Sequence, residues 1–430
     1  MLNLVYLFVL FLASPFLLYR AIRFKKYRDG WGQKFLGLVR VAPLSDEKKK
    51  RIWFHAVSVG EVNLLKPIIA TIERERPEWD CVVSSTSKTG YELAQKLFAD
   101  RFSVCYCPLD FTWAVNRALK RIKPDALVLV ELELWPNLIR RAKYYGAVVA
   151  IMNGRVGDSS FRAYRRVRRA LAPTFRRVDL ILAQDERAAN YFRALSPIPE
   201  RVVVSGSIKF DGARTDRENP TTRALALLGG VRDEDVVFLC GSSQAPEEQG
   251  ALETFRRLQS EFPQLKLFIA PRHKERFDEV AKILDDSEFP WTRRSTITEP
   301  LDANDEKSRV VLIDTIGELS AWWGVAKIAF VGGSWGSRGG QNMLEPAGFG
   351  VAVSFGPNVR NFRTIAETLL REDAARVAAN VDETTEFVRE CLTYPERRER
   401  LGANARNVTL RNAGAAEKTF DAIVQLLERR

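Results

Sequence analysis

Glu131 and Glu133 stand two residues apart just after an apolar run, Ala126–Val130, and Leu134, Trp135 and Pro136 follow them. In an extended segment residues i and i+2 point to one face, so the two carboxylates are expected side by side. Close like charges raise one of two pKa values, which is what acid/base work requires. A third carboxylate, Glu61, follows Ser58-Val59-Gly60 after another apolar run, Ile52–Val57. Gly60 lets the backbone approach a ligand, and Glu61 at the start of a helix beyond a strand end could act as a general base. A helix-start Glu steadied by the helix dipole, worth a few tenths to about 1 kcal/mol, explains its position equally well.

Anion-binding material recurs at other strand ends. Ser84–Gly90 supplies hydroxyls, including Ser87, backbone N–H groups and Lys88; these suit an anionic ligand. No GxxxxGK[ST] loop exists in the chain, so this is not a Walker A site. Phe268–Ala270 leads to Arg272 and His273, and Val311–Ile313 leads to Gly317 and Glu318. Arg and His at a strand end suit phosphate. Ala329–Val331 opens a Gly-rich loop, Gly332–Asn342, with Glu345 just beyond it. Such a loop is expected to offer free N–H groups to a phosphate, and Glu345 could accept from a ribose hydroxyl. Gly332-Gly333-Ser334-Trp335-Gly336 also fits the GxSxG nucleophile elbow, but that fold takes its His after the Ser, and no His lies beyond His273. The hydrolase reading fails.

These residues need elements to position them. The 430 residues, 46% apolar and 28% charged, suit two domains and exclude a collagenous or disordered chain. Five cysteines without a CxxC pair and two histidines leave a zinc site without ligands and indicate reduced thiols. A net charge of +12 suits a polyanionic partner: nucleic acid, an anionic membrane or a phosphorylated substrate. Short apolar runs alternate with amphipathic stretches, first from Ile52 to Ser205 and again from Val236 to Ser354. Strand–helix alternation predicts two doubly wound, Rossmann-like α/β domains with a cleft between them. The expected boundaries are 30–205, a linker with an entry helix over 206–235, 236–410 and a C-terminal helix 411–430.

Met1–Tyr19 carries no charge, and Arg20, Arg23, Lys25, Lys26 and Arg28 follow at once. Nineteen helical residues span about 28 Å, so residues 1–19 are expected to be a transmembrane anchor with its basic flank in the cytoplasm. Pro15 leaves a shallow interfacial segment open, and a buried core helix is the plain alternative. Arg155–Arg177 holds eight arginines with Phe161, Tyr164 and Phe175 among them. A solvated basic face, an RNA contact and a helix on anionic headgroups with aromatics dipping inward would all use these residue types; the anchor favours the membrane.

The strings HAVSVGEVN, STSKTG, ELELWPN, NGR, GSIKFD, PRHKERF, DTIGEL and GGSWGSRGGQNMLEPAGFGVAVSFGPNVRNF run in order from His55 to Phe362. Together they make the chain resemble the 3-deoxy-D-manno-octulosonic acid (Kdo) transferases of lipopolysaccharide assembly. The resemblance implies a GT-B glycosyltransferase architecture. It implies CMP-Kdo as co-substrate, a lipid A precursor (lipid IVA) as acceptor, and a place at the cytoplasmic face of the inner membrane. It implies no other cofactor, no metal and no nucleic acid. Glu61 falls on the family's base, with Glu131 and Glu133 in the acidic motif. Lys209, Arg272, His273, Gly317, Glu318, Asn342 and Glu345 fall on the donor side. Ser58, Gly60, Ser87, Lys88 and Arg155 are expected on the acceptor side. Gln341 stands where a His is expected before the Asn. The rivals are another GT-B transferase using a UDP-sugar and a membrane-tethered binding protein without turnover.

Overall fold

The computed structural model describes residues 2–24, 29–44 and 49–429. The chain divides into two compact units, Met1–Gly212 with Asn412–Arg430, and Ala213–Arg411. Each is built on a seven-stranded parallel sheet.

In the first unit the strands are β1 (Arg51–His55), β2 (Asp80–Ser85), β3 (Ser103–Tyr106), β4 (Ala126–Val130), β5 (Val148–Gly154), β6 (Leu180–Ala183) and β7 (Val202–Val204), in the order β3-β2-β1-β4-β5-β6-β7. Helices cover both faces, so β1 and β4 are buried throughout and read as unbroken apolar runs. The two-residue period sorts their side chains. Ile52 and Phe54 pack with Leu65, Ile68 and Ile69 of the Val59–Glu75 helix, while Trp53 and Leu127 pack on the opposite face with Leu138 and Ile139.

The second unit comprises β8 (Val236–Ser243), β9 (Leu265–Pro271), β10 (Thr292–Arg293), β11 (Val310–Leu312), β12 (Ile328–Val331), β13 (Ala352–Phe355) and β14 (Ala375–Val377), in the order β10-β11-β9-β8-β12-β13-β14. The doubly wound α/β reading therefore holds in both halves. Two boundaries differ from the pattern. The stretch 206–235 holds the expected entry helix, Pro220–Leu228, which packs on the second unit, but it does not begin as a linker: Ile208 and Phe210 are buried on the first unit. The C-terminal helix, Ala415–Glu428, returns to the first unit through Ala415, Phe420 and Ile423, and Asp211 accepts the Gly414 and Ala416 N–H groups.

The expected transmembrane anchor at 1–19 is not supported as a crossing helix. Leu2–Phe24 is a helix, but no helix among the described residues is long and apolar enough to cross a membrane. Its half-buried positions are 3, 6, 10, 13 and 14, a helical stripe laid along the first unit. Asn3 Oδ1 accepts from the Thr112 N–H (3.2 Å) and from Asn137 Nδ2 (3.3 Å), and the Tyr6 hydroxyl donates to Asp110 at 2.9 Å. Tyr6 meets Phe111 edge-on at 6.1 Å. Two polar side chains thus dock the end that was expected to leave the body. Met1, Lys25, Lys26 and Arg28 of the expected anchor and flank lie outside the described residues.

Candidate functional site

Open α/β sheets bind ligands beyond the carboxyl ends of the strands where strand order reverses. In the first unit that point lies between β1 and β4. The chain leaving β1 carries Ser58, Gly60 and Glu61, and the chain leaving β4 carries Glu131 and Glu133, so the topology brings the three carboxylates to one sheet edge.

Ser58 caps the Val59–Glu75 helix, and the Glu61 side chain reaches back to the cap hydroxyl and to the N–H before it. Ser58 Oγ accepts the Glu61 N–H (3.3 Å) and donates to Glu61 Oε1 (2.9 Å), while the Val57 N–H donates to Oε2 (2.8 Å). The plain reading of Glu61 as a helix-start carboxylate therefore holds. Burial pushes its carboxyl up to about 7, against the bonds from Val57 and Ser58, and the charges of Glu131 and Glu133 add to the rise. Burial likewise raises Glu133, which accepts from Trp135 Nε1 at 2.9 Å. Glu131 and Glu133 do not converge by strand alternation, because the strand ends at Val130 and Glu131 has φ +61°. The turn, rather than the two-residue period, sets their positions.

Lys209 belongs to this cluster in the first unit, on the Ile208–Phe210 turn, although the resemblance set it on the donor side. Burial lowers its ammonium pKa, with Glu131 opposing and Arg155 adding to the fall. The turn is held by Asn153, whose Oδ1 accepts the Ile208 N–H at 3.0 Å from a backbone with φ +52°. Pattern reading passed over Asn153 except as part of NGR. It also assigned no role to His55, which is fully buried, lowered to about 4 by burial, and edge-on to Trp135 at 5.7 Å.

The Ser84–Gly90 segment is not an open anion cradle. Ser85 Oγ and Ser87 Oγ both donate to the Val57 carbonyl (3.1 and 2.7 Å), and the Gly90 N–H is taken by Ser87 (3.1 Å). Lys88 is exposed and paired with Asp29 at 3.1 Å. The arginine-rich stretch forms two helices, Asp158–Arg166 and Arg168–Phe175. Its aromatics do not face outward: Phe161 stacks on Tyr191 at 4.1 Å, Tyr164 is half-buried and Phe175 is 1% exposed. Arg162, Arg165, Arg166, Arg168 and Arg169 remain on the surface.

In the second unit strand order reverses between β8 and β12. Here the expectation of free loop N–H groups fails, because the protein supplies its own anion. The Gly333, Ser334 and Trp335 N–H groups donate to the carboxylate of Glu247 at 2.7, 2.8 and 3.0 Å. Ser334 is fully buried, its hydroxyl donating to the Val331 carbonyl (2.8 Å) and accepting the Gly356 N–H (2.8 Å), so it is no nucleophile. Arg272 and His273 are exposed beyond β9. Gly317, with φ +94°, makes the turn after β11 that a side chain would strain. The Glu318 carboxylate receives Arg294 in a two-bond fork (2.9 and 2.8 Å), the Thr315 hydroxyl (2.7 Å) and Trp322 Nε1 (3.3 Å). It shapes the turn rather than standing open. Asn342 Nδ2 donates to Glu345 at 3.1 Å. Among the described residues no three His, Cys, Asp or Glu side chains gather to hold a metal ion.

Residues 29–212 match the family model described as 3-deoxy-D-manno-octulosonic-acid transferase (kdotransferase). The chain is 31% identical to the 3-deoxy-D-manno-octulosonic acid transferase of Haemophilus influenzae over 379 residues, 88% of this chain and 87% of that one. With the enzyme of the same name from Bordetella pertussis it shares 32% identity over 389 residues, 86% of each. Among solved structures it is similar to a glycosyltransferase from Rickettsia africae, with TM-score 0.57 and 10% identity over 89% of this chain and 98% of that one. It is also similar to the UDP-GlcNAc 2-epimerase from Neisseria meningitidis, with TM-score 0.57 and 14% identity over 88% of this chain and 100% of that one. These two likenesses are of fold alone.

Proposed function

The chain belongs to the 3-deoxy-D-manno-octulosonic acid transferase family of glycosyltransferases, and from that premise we propose that it transfers Kdo from CMP-Kdo to a phosphorylated lipid A precursor, lipid IVA, in lipopolysaccharide inner-core assembly. Glu61 is the general base. It takes the proton from a glucosamine hydroxyl of the acceptor as that oxygen bonds to the anomeric carbon of Kdo. The bond from that carbon to the phosphate oxygen breaks, and CMP leaves with the electron pair. A base is most effective with a pKa near the working pH, and Glu61 at about 7 meets that condition. This is the observation that carries the reading.

The leaving monophosphate needs less neutralisation than a diphosphate, so Arg272, His273 and neighbouring dipoles serve it without a divalent metal. Asn342 and Glu345 contact the nucleoside part, and the Gly317 turn lets the backbone approach it. Lys209 and Arg155 sit with the carboxylates and attract the acceptor's phosphates. Glu131 and Glu133 hold Glu61 high and orient the acceptor. The enzyme works at an anionic membrane surface on the cytoplasmic side, which supplies the lipid acceptor; the exposed arginines of 162–169 support this part. The test is mass spectrometry of lipid IVA after incubation with enzyme and CMP-Kdo. A gain of one or more Kdo masses is expected. No product from CMP-Kdo, with product from a UDP-sugar, would overturn the donor assignment.

A further inference from the structure

Two adjacent acids that no motif reading singled out, Glu247 and Glu248, are 2% and 1% exposed. They open the Glu247–Leu258 helix directly after β8, beside the reversal point of the second sheet. Burying a carboxylate is costly unless it is paired or hydrogen-bonded. Glu248 meets this need with Arg276, which also holds Glu279. Glu247 pairs with no cation among the described residues. It accepts four backbone N–H groups: Oε1 takes Ser334 (2.8 Å) and Trp335 (3.0 Å), and Oε2 takes Gly333 (2.7 Å) and Gln244 (2.8 Å).

The N–H groups of successive residues form a nest that elsewhere binds a phosphate. A carboxylate of the chain fills it here, so those amides are unavailable to a ligand and the loop is fixed from beneath. The fixing is passed on. The Gly333 carbonyl accepts the Gly340 N–H at 2.8 Å, which closes the loop immediately before Gln341 and Asn342. A Cβ on Gly333 would lie 3.2 Å from Gln341 Nε2, so that side chain packs on the pinned residue. Asn342 in turn holds Glu345 at 3.1 Å. Gly332 leaves no slack, since a Cβ there would meet Glu247 Oε2 at 2.7 Å.

We propose that Glu247 is a positioning residue for the nucleotide-sugar donor: its buried carboxylate replaces a phosphate in the 333–335 nest and so sets where Asn342 and Glu345 stand. This rests on the assignment of the donor to the second unit. Glu247→Gln keeps the shape but presents an NH₂ group to one pair of N–H donors in either orientation, so one pair must lose its acceptor.

The expected result for Glu247→Gln, measured well below its melting temperature, has two parts. Hydrogen exchange of the 333–335 amides speeds at least tenfold, and the donor KM and the CMP Kd rise at least tenfold with a smaller change in kcat. Glu247→Asp, which keeps the charge one methylene shorter, recovers part of the loss and serves if the Gln variant does not fold. Thr254, on the same helix as Glu247, shares a buried hydroxyl pair with Thr385 (3.1 Å); Thr254→Val removes it, controls for general destabilisation and leaves donor KM within twofold. Donor KM and CMP Kd within twofold of wild type in both Glu247 variants, or raised equally by Thr254→Val, would overturn the proposal. Failure of the wild type to bind CMP would count against the donor assignment instead, while the exchange rates still report on the nest.

Discussion

Glu61 Oε2 accepts the Val57 N–H at 2.8 Å while the Val57 carbonyl accepts Ser87 Oγ at 2.7 Å. One residue, through its two flanking peptide groups, thus joins the proposed base to the neighbouring strand end. The serine segment after β2, which looks in sequence like a phosphate cradle, instead bonds the carbonyl of the residue whose N–H holds Glu61. The fixed N–H favours the ionised carboxylate, burial disfavours it, and burial is the larger effect.

The rate should follow that balance. With a base titrating at about 7, kcat/KM is expected to fall about tenfold per pH unit below 7 and to level off above it. Glu61→Gln should lose about 10²–10⁴-fold in transfer and keep CMP binding. Glu131→Gln removes a negative charge that raises Glu61, so the inflection should move to lower pH. The stability effect has its own sign. A carboxyl raised on folding favours the protonated native state, so its contribution is lost as pH rises from about 4.5 to about 7. Urea titrations across that window should show Glu61→Gln without this loss. Wild-type turnover in Glu61→Gln, or an inflection unmoved by Glu131→Gln, would contradict the assignment.

The parts legible in the sequence were those set by local period and strand-end position. Ile52–Phe54 and Ala126–Val130 read as strands because both faces are covered, and Glu61 and Glu131 follow because strand ends meet at the reversal point. What was not legible depended on long-range pairing. Glu247 contacts residues 86 to 88 positions away, and nothing in Pro246-Glu247-Glu248 announces that. Glu131 lay on the right edge for the wrong reason, since its positive φ breaks the alternation that singled it out. In the first helix, mean apolarity outweighed two polar residues, Asn3 and Tyr6, whose hydrogen bonds decide where the helix lies.

Asp110 tests that docking. It is 6% exposed, accepts the Asn137 and Leu138 N–H groups (3.0 and 2.8 Å), and receives the Tyr6 hydroxyl. Asp110→Ala would leave two buried amides unpaired, so a loss of about 2–3 kcal/mol is expected in urea unfolding of the first unit. Tyr6→Phe removes only the link to the N-terminal helix and should cost about 1 kcal/mol or less, with faster exchange confined to residues 2–24. Equal losses in the two variants would mean that Asp110 works mainly through Tyr6.

The exposed arginines 165, 166, 168 and 169 carry the electrostatic part of the proposed membrane contact. Each basic residue near an anionic leaflet contributes about 1 kcal/mol. Changing all four to Gln should weaken binding to vesicles containing phosphatidylglycerol, and the difference should shrink at high salt, where wild-type binding is already screened. Unchanged vesicle binding together with a raised acceptor KM in detergent would assign these arginines to acceptor phosphates instead.

The orientation of the N-terminal helix separates a crossing anchor from a helix lying in the interface. Its stripe at 3, 6, 10 and 13 faces the first unit, while Leu4, Phe8, Phe11 and Leu12 are 70%, 63%, 74% and 62% exposed. Beside it, Trp31 and Trp113 are 56% and 40% exposed, and Trp31 stacks on Phe35. An apolar helix face flanked by tryptophans suits the boundary between headgroups and acyl chains. A crossing helix would carry Asn3 about 30 Å from the cytoplasmic side and break its bonds to Thr112 and Asn137. With the five native cysteines buried, Leu4→Cys gives a clean probe. In spheroplasts, a membrane-impermeant maleimide is expected to leave Leu4→Cys unlabelled until the membrane is permeabilised. Labelling of intact spheroplasts would place residue 4 on the outer side and restore the single-pass anchor that the apolar run alone suggests.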